Sequence, residues 1–144
     1  MGRSGGDLMP EIMVVEDDFE LQELYETSLS VAGYHICAKA YDGQGALDAL
    51  RREGAHPDVI IMDHRMPVMS GLDAAREILA LDPSARIVMV SADSSVSDEA
   101  LAAGALAFLS KPFPLGELVQ LLARLLQFPA PGSDGSAAGG ALGN

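Results

Sequence analysis

Several polar side chains stand where short apolar runs of this sequence end. Glu16 and Asp17 follow the run 12–15, Asp63 follows the run 59–62, Ser91 follows the run 87–90, and Lys111 comes shortly after the run 105–109. Together they offer three carboxylates, a hydroxyl and an ammonium group. A carboxylate can accept a phosphoryl group, and this transfer is catalysed mainly by positioning and charge neutralisation. If the fold brings them together, these residue types predict phosphoryl transfer to an aspartate.

Three carboxylates at one place also imply a cation. Carboxylates held together repel, and at least one of them would keep a proton unless a positive charge neutralises it. Mg2+ prefers hard oxygen ligands and tends to bind phosphate oxygens as well. We therefore expect Mg2+ beside Asp63. Taken singly, each residue has a more common role, such as helix capping for an acid or solvation for Lys111, so only their joint placement indicates chemistry.

The elements that must position these residues alternate along the chain. Apolar runs predict strands at 12–15, 34–40, 59–62, 87–90 and 105–109, and helical patterns follow at about 21–32, 43–53, 72–81, 97–103 and 115–126. Such alternation favours a parallel sheet with helices on both faces, and continuous apolar strands agree with burial on both faces. The ligand site of such a sheet lies at the carboxyl ends of the strands, where the polar residues fall.

Local signals predict how two of the helices begin. Asp17 or Asp18 is expected to cap the first helix, and Ser97 is the candidate cap of the fourth. The buried stripe of the first helix is predicted from apolar and small residues at helical spacing, namely Leu21, Leu24, Tyr25, Ser28, Leu29 and Ala32.

Composition narrows the functional classes. The net charge is −12, from 21 acidic and 9 basic residues, which argues against nucleic-acid binding by this domain because phosphate affinity needs clustered Lys and Arg. The polar, Gly-rich residues 1–10 do not show a signal-peptide pattern, and no apolar run approaches the length of about 20 residues that spans a bilayer, so the cytoplasm is the expected location. We expect a flexible extension at 1–10, one domain at 11–127, and a flexible tail or truncated linker at 128–144.

From about residue 11 to residue 127 the chain resembles the receiver domain of two-component response regulators, which are CheY-like. The matching stretches are Val14-Val15-Glu16-Asp17-Asp18, Met62-Asp63-His64-Arg65-Met66-Pro67 with Gly71, Val90-Ser91-Ala92, and Lys111-Pro112-Phe113. The resemblance implies an α/β, flavodoxin-like, doubly wound (βα)5 fold whose five-stranded parallel sheet has the order 2-1-3-4-5.

The resemblance also implies roles for individual residues. The phosphoacceptor is Asp63, and Mg2+, or Mn2+ in its place, is held by Glu16, Asp17, Asp63 and the backbone carbonyl of Arg65. Ser91, Lys111 and Phe108 are implied as the phosphoryl-contacting and switch residues, and the peptide bond before Pro112 is expected to be cis. Arg65 and Asp93 flank the approach of a hydrolytic water by position and are expected to tune dephosphorylation.

Partners follow from the same resemblance. A sensor histidine kinase or a histidine phosphotransfer protein is expected to supply the phosphoryl group, and a protein effector to read the face formed by residues 97–127. A phosphorylation-dependent homodimer is left open. The domain is expected to be a switch that phosphorylates itself with Mg2+ and dephosphorylates slowly, not an enzyme.

Two other classes share parts of the pattern. A Mg2+-dependent aspartyl phosphatase usually has a second acid two residues after its nucleophile, whereas Arg65 stands there in this chain. A flavodoxin has a phosphate loop rich in Ser, Thr and Gly after its first strand, and the acids at 16–18 would repel that phosphate. Both classes are therefore less favoured than a receiver.

Overall fold

The computed structural model describes residues 9–127, and the rest of the predicted N-terminal extension and the predicted tail at 128–144 lie outside this range. Strands and helices alternate along it. The strands are β1 (Glu11–Val15), β2 (His35–Ala40), β3 (Val59–Asp63), β4 (Ile87–Ser91) and β5 (Ala107–Ser110). The helices are α1 (Phe19–Val31), α2 (Gly43–Arg51), α3 (Gly71–Leu81), α4 (Ser97–Ala103) and α5 (Leu115–Leu126), with a 3-10 turn at Ser94–Val96 before α4.

The five strands form one parallel sheet in the order β2-β1-β3-β4-β5, which confirms the predicted topology. Parallel neighbours need crossover connections, and the four helices α1 to α4 supply them, while α5 follows the last strand. The chain reverses its direction of strand addition between β1 and β3. Asp63 is paired with Val90, and Ser91 is paired with Ser110, so the ends of β3, β4 and β5 lie at one edge.

Alternate side chains of the central strands enter two apolar layers. Met13, Ile60 and Met89 face the layer covered by α2, α3 and α4. Val14 and Ile61 belong to the opposite layer, which α1 and α5 cover. Because both faces of β1, β3 and β4 are covered, these strands read as continuous apolar runs in the sequence.

The start of α4 differs from the prediction. Ser97 is not a cap: it is the first residue of α4, the cap position is held by Val96, and no side chain caps this helix. The 3-10 turn comes first, and Asp93 caps that turn through its Oδ1, which accepts from the backbone N of Ser95 at 3.0 Å. At α1 the cap is Asp18, one of the two predicted candidates.

The start of β5 and the start of the folded domain also differ from the prediction. β5 begins at Ala107, because the backbone N of Ala105 still donates to the carbonyl of Ala100 and closes the end of α4. Pro10 falls in the predicted extension, but it is buried and its carbonyl accepts a hydrogen bond from the backbone N of His35.

Gly71 brings the start of α3 against the end of β3. Its N–H donates to the carbonyl of His64 at 2.8 Å, and a Cβ built on it would stand 2.1 Å from the carbonyl oxygen of Asp63. A side chain cannot fit there without moving the backbone that carries Asp63. This close approach holds the loop 64–70 in a tight turn beside the site.

None of the helices within residues 9–127 combines the length and the apolar character needed to cross a bilayer.

Candidate phosphoacceptor and metal site

Three carboxylates meet at the carboxyl edge of the sheet. Glu16 directly follows β1, Asp17 comes next, and Asp63 is the last residue of β3. One carboxylate oxygen from each lies within 4.8 Å of the other two. Glu16 and Asp63 are buried, at 2% and 4% exposure, whereas Asp17 is exposed. The sheet topology therefore brings together acids that are 47 residues apart in the sequence.

Lys111, which directly follows β5 at the same edge, bridges two of these acids. Its Nζ donates to Asp63 Oδ1 at 3.0 Å and to Glu16 Oε1 at 3.1 Å. Burial by itself would lower the pKa of Lys111, but the hydrogen bond and the charge of Asp63, together with Glu16, raise it above its ordinary value. The ammonium group is therefore charged at neutral pH and directed at the carboxylate oxygens of Asp63 and Glu16.

The ammonium group does not neutralise the acids. Burial raises the pKa of Asp63, and the contacts with Lys111 offset this shift only in part, while the charge of Asp17 adds to it. Burial also raises the pKa of Glu16, and repulsion from Asp63 raises it further. If all three carboxylates are ionised, they and the ammonium group carry a local charge of about −2, which a divalent cation would balance.

A buried amide that the sequence analysis did not single out holds the loop after β1. Gln22 in α1 is 1% exposed, and the two N–H groups of its Nε2 are shared among three carbonyl oxygens, those of Ala40 (2.7 Å), Val14 (3.0 Å) and Glu16 (3.3 Å). Its position three residues before Tyr25 and seven before Leu29 places it on the buried face of the helix. Helical spacing was therefore the available signal, but Gln22 was passed over because it is polar.

Ser91 and Asp93 form the next part of the rim. Ser91 is 1% exposed, and its Oγ accepts a hydrogen bond from the backbone N of Asp93 at 3.0 Å. The guanidinium of Arg65 lies 3.7 Å from Asp93 Oδ2, so the two residues predicted to flank the approach of water form an ion pair. They line an open depression of about 460 Å3 together with His64, Met66, Pro67 and Ser70.

Phe108 lies farther from the acids. It is half-buried in β5, beside Met89 of β4, and it packs against the apolar layer on the α2–α4 side of the sheet. After β5 the peptide bond between Lys111 and Pro112 is cis, as the resemblance implied. The structure thus brings the acids, Lys111 and Ser91 to one edge, whereas Phe108 pairs with Met89, two residues before Ser91 on β4.

Comparisons with known proteins agree with this architecture. The sequence profile of the response regulator receiver domain family matches residues 12–123. The chemotaxis protein CheY of Thermotoga maritima is 33% identical over 113 residues, which cover 77% of this chain and 92% of CheY. The transcriptional regulatory protein PrrA of Mycobacterium tuberculosis is 36% identical over 124 residues, or 85% of this chain and 52% of PrrA. The chain therefore spans about half of the length of that regulator.

Solved structures show the same fold. The response regulator TrrA of Thermotoga maritima, in complex with Mg2+ and beryllofluoride, has a TM-score of 0.73 and 31% identity, and the match covers 81% of this chain and 99% of TrrA. The receiver domain of a sensor histidine kinase from Pseudomonas aeruginosa, with magnesium coordinated in its active-site cleft, has a TM-score of 0.73 and 33% identity over 83% of this chain and 99% of that domain.

Proposed function

The chain belongs to the family of response regulator receiver domains, and from this premise we propose that it is a switch controlled by phosphorylation of Asp63. One observation carries the choice of Asp63. Its carboxylate is buried at the end of β3, bound by Lys111 Nζ at 3.0 Å and placed beside two further acids. Receiver domains are phosphoacceptor switches, and these contacts support Asp63 as the acceptor.

We propose that Glu16, Asp17, Asp63 and the backbone carbonyl of Arg65 hold Mg2+, or Mn2+ in its place. The donor set fits such an ion, because it offers hard oxygens and an uncompensated negative charge. A bound divalent cation would neutralise the acids and the charge on the incoming phosphoryl oxygens. Two similar receiver domains were solved with Mg2+ bound, which supports this assignment.

The protein's own groups then have separate tasks in phosphoryl transfer. An oxygen of Asp63 attacks phosphorus, forming the acyl-phosphate bond while the bond from phosphorus to the donor's histidine nitrogen breaks. Lys111 balances the charge on Asp63 and on the transferred oxygens. Ser91 lies on the neighbouring strand end, where its hydroxyl can donate a hydrogen bond to a phosphoryl oxygen. The donor is a phosphohistidine of a sensor kinase or of a phosphotransfer protein.

A small phosphodonor tests this function without a partner. Incubation of the protein with acetyl phosphate and Mg2+ should add the mass of one phosphoryl group, in a linkage that survives acid and is cleaved by hydroxylamine. Omission of Mg2+ should prevent the addition. An unchanged mass under conditions in which another receiver domain is labelled would contradict the proposal.

The signal is proposed to leave through the surface formed by residues 97–127, which includes α4, β5 and α5, towards a protein effector or a second copy of the chain. We also propose that residues 11–127 act as the folded unit. An affinity pull-down with and without beryllofluoride would identify the effector, and a sizing experiment under the same conditions would detect a phosphorylation-dependent dimer.

Switching is proposed to couple Ser91 to Phe108. When Ser91 moves towards the phosphoryl oxygens, Phe108 should turn into the vacated space, and the segment 92–103 should rearrange because Ala100 is the one fully buried residue of α4. Backbone NMR shifts should therefore change most at 92–103 on addition of beryllofluoride and Mg2+. Larger changes in α2 would show that this coupling is wrong, and Ser91→Ala should weaken the response at Phe108.

The ion pair between Arg65 and Asp93 is proposed to shield the phosphoryl group from water. Asp93→Asn removes the charge but keeps the side-chain oxygen that caps the 3-10 turn. We expect Arg65→Ala with Asp93→Asn to change the dephosphorylation rate by a factor of about three to thirty, or roughly 0.7–2 kcal/mol in the barrier. The free energy of unfolding should change by less than about 1 kcal/mol, as for other exposed pairs.

Decay of the phosphorylated protein after removal of the donor measures this effect in the wild type, both single variants and the double variant. The ion pair between Asp48 in α2 and Arg52, the C-terminal cap residue of that helix, serves as the control, with Arg52→Ala and Asp48→Asn. Decay rates within a factor of about two across the wild type, the Arg65 and Asp93 single variants and their double variant would exclude this ion pair as a shield against water. A large change without coupling between the single variants would mean that the residues act separately.

A further inference from the structure

We propose that Gln22 is a positioning residue that holds Glu16 and Asp17 at the spacing from Asp63 that Mg2+ binding requires. This inference rests on the proposed metal site. Gln22 lies in α1, and its amide touches none of the carboxylates that would bind the ion. It acts instead on the backbone, through three carbonyl groups near the ends of β1 and β2.

The three acceptors of this amide explain why it bears on the metal ligands. One is the carbonyl of Glu16 itself, and another is the carbonyl of Ala40, which also accepts the backbone N–H of Glu16 at 3.0 Å. The peptide groups on both sides of the Glu16 Cα are therefore tied to the same anchoring point. The side chain of Asp17 projects from the next residue, so its position depends on the same anchor.

These hydrogen bonds of Gln22 oppose the electrostatic repulsion among the three carboxylates. Glu16, Asp17 and Asp63 carry like charges, and Lys111 balances only part of them. Without a restraint, the residues 16–18 would move outward, away from Asp63, in the metal-free protein. The backbone hydrogen bonds of Gln22 oppose that movement without adding another charge to the site.

The carbonyl oxygen of the Gln22 side chain indicates that the N–H donors of Nε2 are the reason for a polar residue at this position. Gln22 Oε1 is buried and accepts no hydrogen bond from the described residues. An unpaired buried acceptor is unfavourable, and an apolar side chain of the same length would avoid it. The hydrogen bonds of Nε2 to the loop are what such a side chain would lose.

Gln22→Met tests this inference, because methionine has a similar length and no N–H donor. We expect the Mg2+ affinity to fall about five- to tenfold in isothermal titration calorimetry. In the metal-free variant, amide hydrogen exchange at residues 16–18 should become faster while exchange in α5 stays unchanged. Leu29→Met is the matched control, since it places methionine on the same buried face of α1, and its Mg2+ affinity should stay within about twofold of the wild type.

The possible outcomes distinguish a failure of this inference from a failure of the proposed metal site. A wild-type protein that binds no Mg2+ would contradict the proposed metal site and the inference with it. A wild-type protein that binds Mg2+, with Gln22→Met within twofold of it, would overturn the role of Gln22 alone, as would an equal loss in Leu29→Met. If Gln22→Met fails to fold, Gln22→Asn carries the test, because its shorter side chain withdraws the amide from the carbonyls; an unchanged affinity there would also overturn the inference.

Discussion

Asp63→Asn is expected to abolish the incorporation of a phosphoryl group from acetyl phosphate. The substitution replaces the attacking carboxylate oxygen by an amide and preserves the side-chain volume. The carbonyl oxygen of the new residue can still accept a hydrogen bond from Lys111 Nζ, which donates to Asp63 Oδ1 in the structure. The loss should therefore come from chemistry, and intact-protein mass spectrometry should detect no added mass of one phosphoryl group.

The control for this variant is the same chemical change at a carboxylate outside the site. Asp98 is exposed in the first turn of α4, and Asp98→Asn should be phosphorylated like the wild type. Urea unfolding should show that Asp63→Asn remains folded, so that a lack of label cannot be attributed to denaturation. Labelling of Asp63→Asn to the wild-type level would exclude Asp63 as the acceptor, and peptide mapping would then locate the residue that carries the phosphoryl group.

The second large effect is expected for Asp17→Asn, which should weaken Mg2+ binding at least tenfold, or about 1.4 kcal/mol. Asp17 is exposed while the other two acids are buried, so this substitution removes one anionic ligand and leaves the core intact. The charge of Asp17 also contributes to raising the pKa of Asp63. Loss of that repulsion should slightly stabilise the metal-free fold, which chemical denaturation without Mg2+ would measure.

Asp18→Asn is the matched control for the metal experiment. Asp18 is also an exposed acid next in sequence, but its Oδ1 accepts hydrogen bonds from the backbone N of Glu20 at 2.9 Å and of Leu21 at 3.2 Å, and asparagine can cap the helix in the same way. Its Mg2+ affinity should stay within about threefold of the wild type. Equal weakening in both variants would indicate a diffuse electrostatic effect, and unchanged affinity in Asp17→Asn would place the metal elsewhere.

The site residues could be predicted from the sequence because each is tied to the end of an apolar run. A buried parallel strand must be apolar along its length, and its first polar residue marks the edge where ligand sites form. This pattern predicts that Glu16, Asp63 and Ser91 lie at one edge, as they do in the structure. The sheet order rested on the resemblance, since apolar runs alone do not state which strands are neighbours.

Details of the loops could not be predicted in the same way. Ser97 has the residue type of a helix cap, but it is the first residue of α4, and the side-chain cap in this segment is Asp93, which caps the preceding 3-10 turn. Asp93 therefore has two roles, as the cap of that turn and as the partner of Arg65. Local preference could not reveal this, because the choice depends on the path that the chain takes after β4.

Helix α1 shows the division between sequence and tertiary structure most clearly. The alternation of apolar runs and helical patterns determined by itself that a helix follows β1 and that it is amphipathic, because burial of an apolar stripe is what stabilises a short helix. Only the packed structure decided the orientation of that stripe: Leu24, predicted to face inward, is 50% exposed, and Gln22 is buried in its stead. The physical reason is that position 22 faces carbonyl groups near the ends of β1 and β2, and only a side chain with N–H or O–H donors can bond to them from there. That requirement comes from strands whose relative positions only the sheet defines.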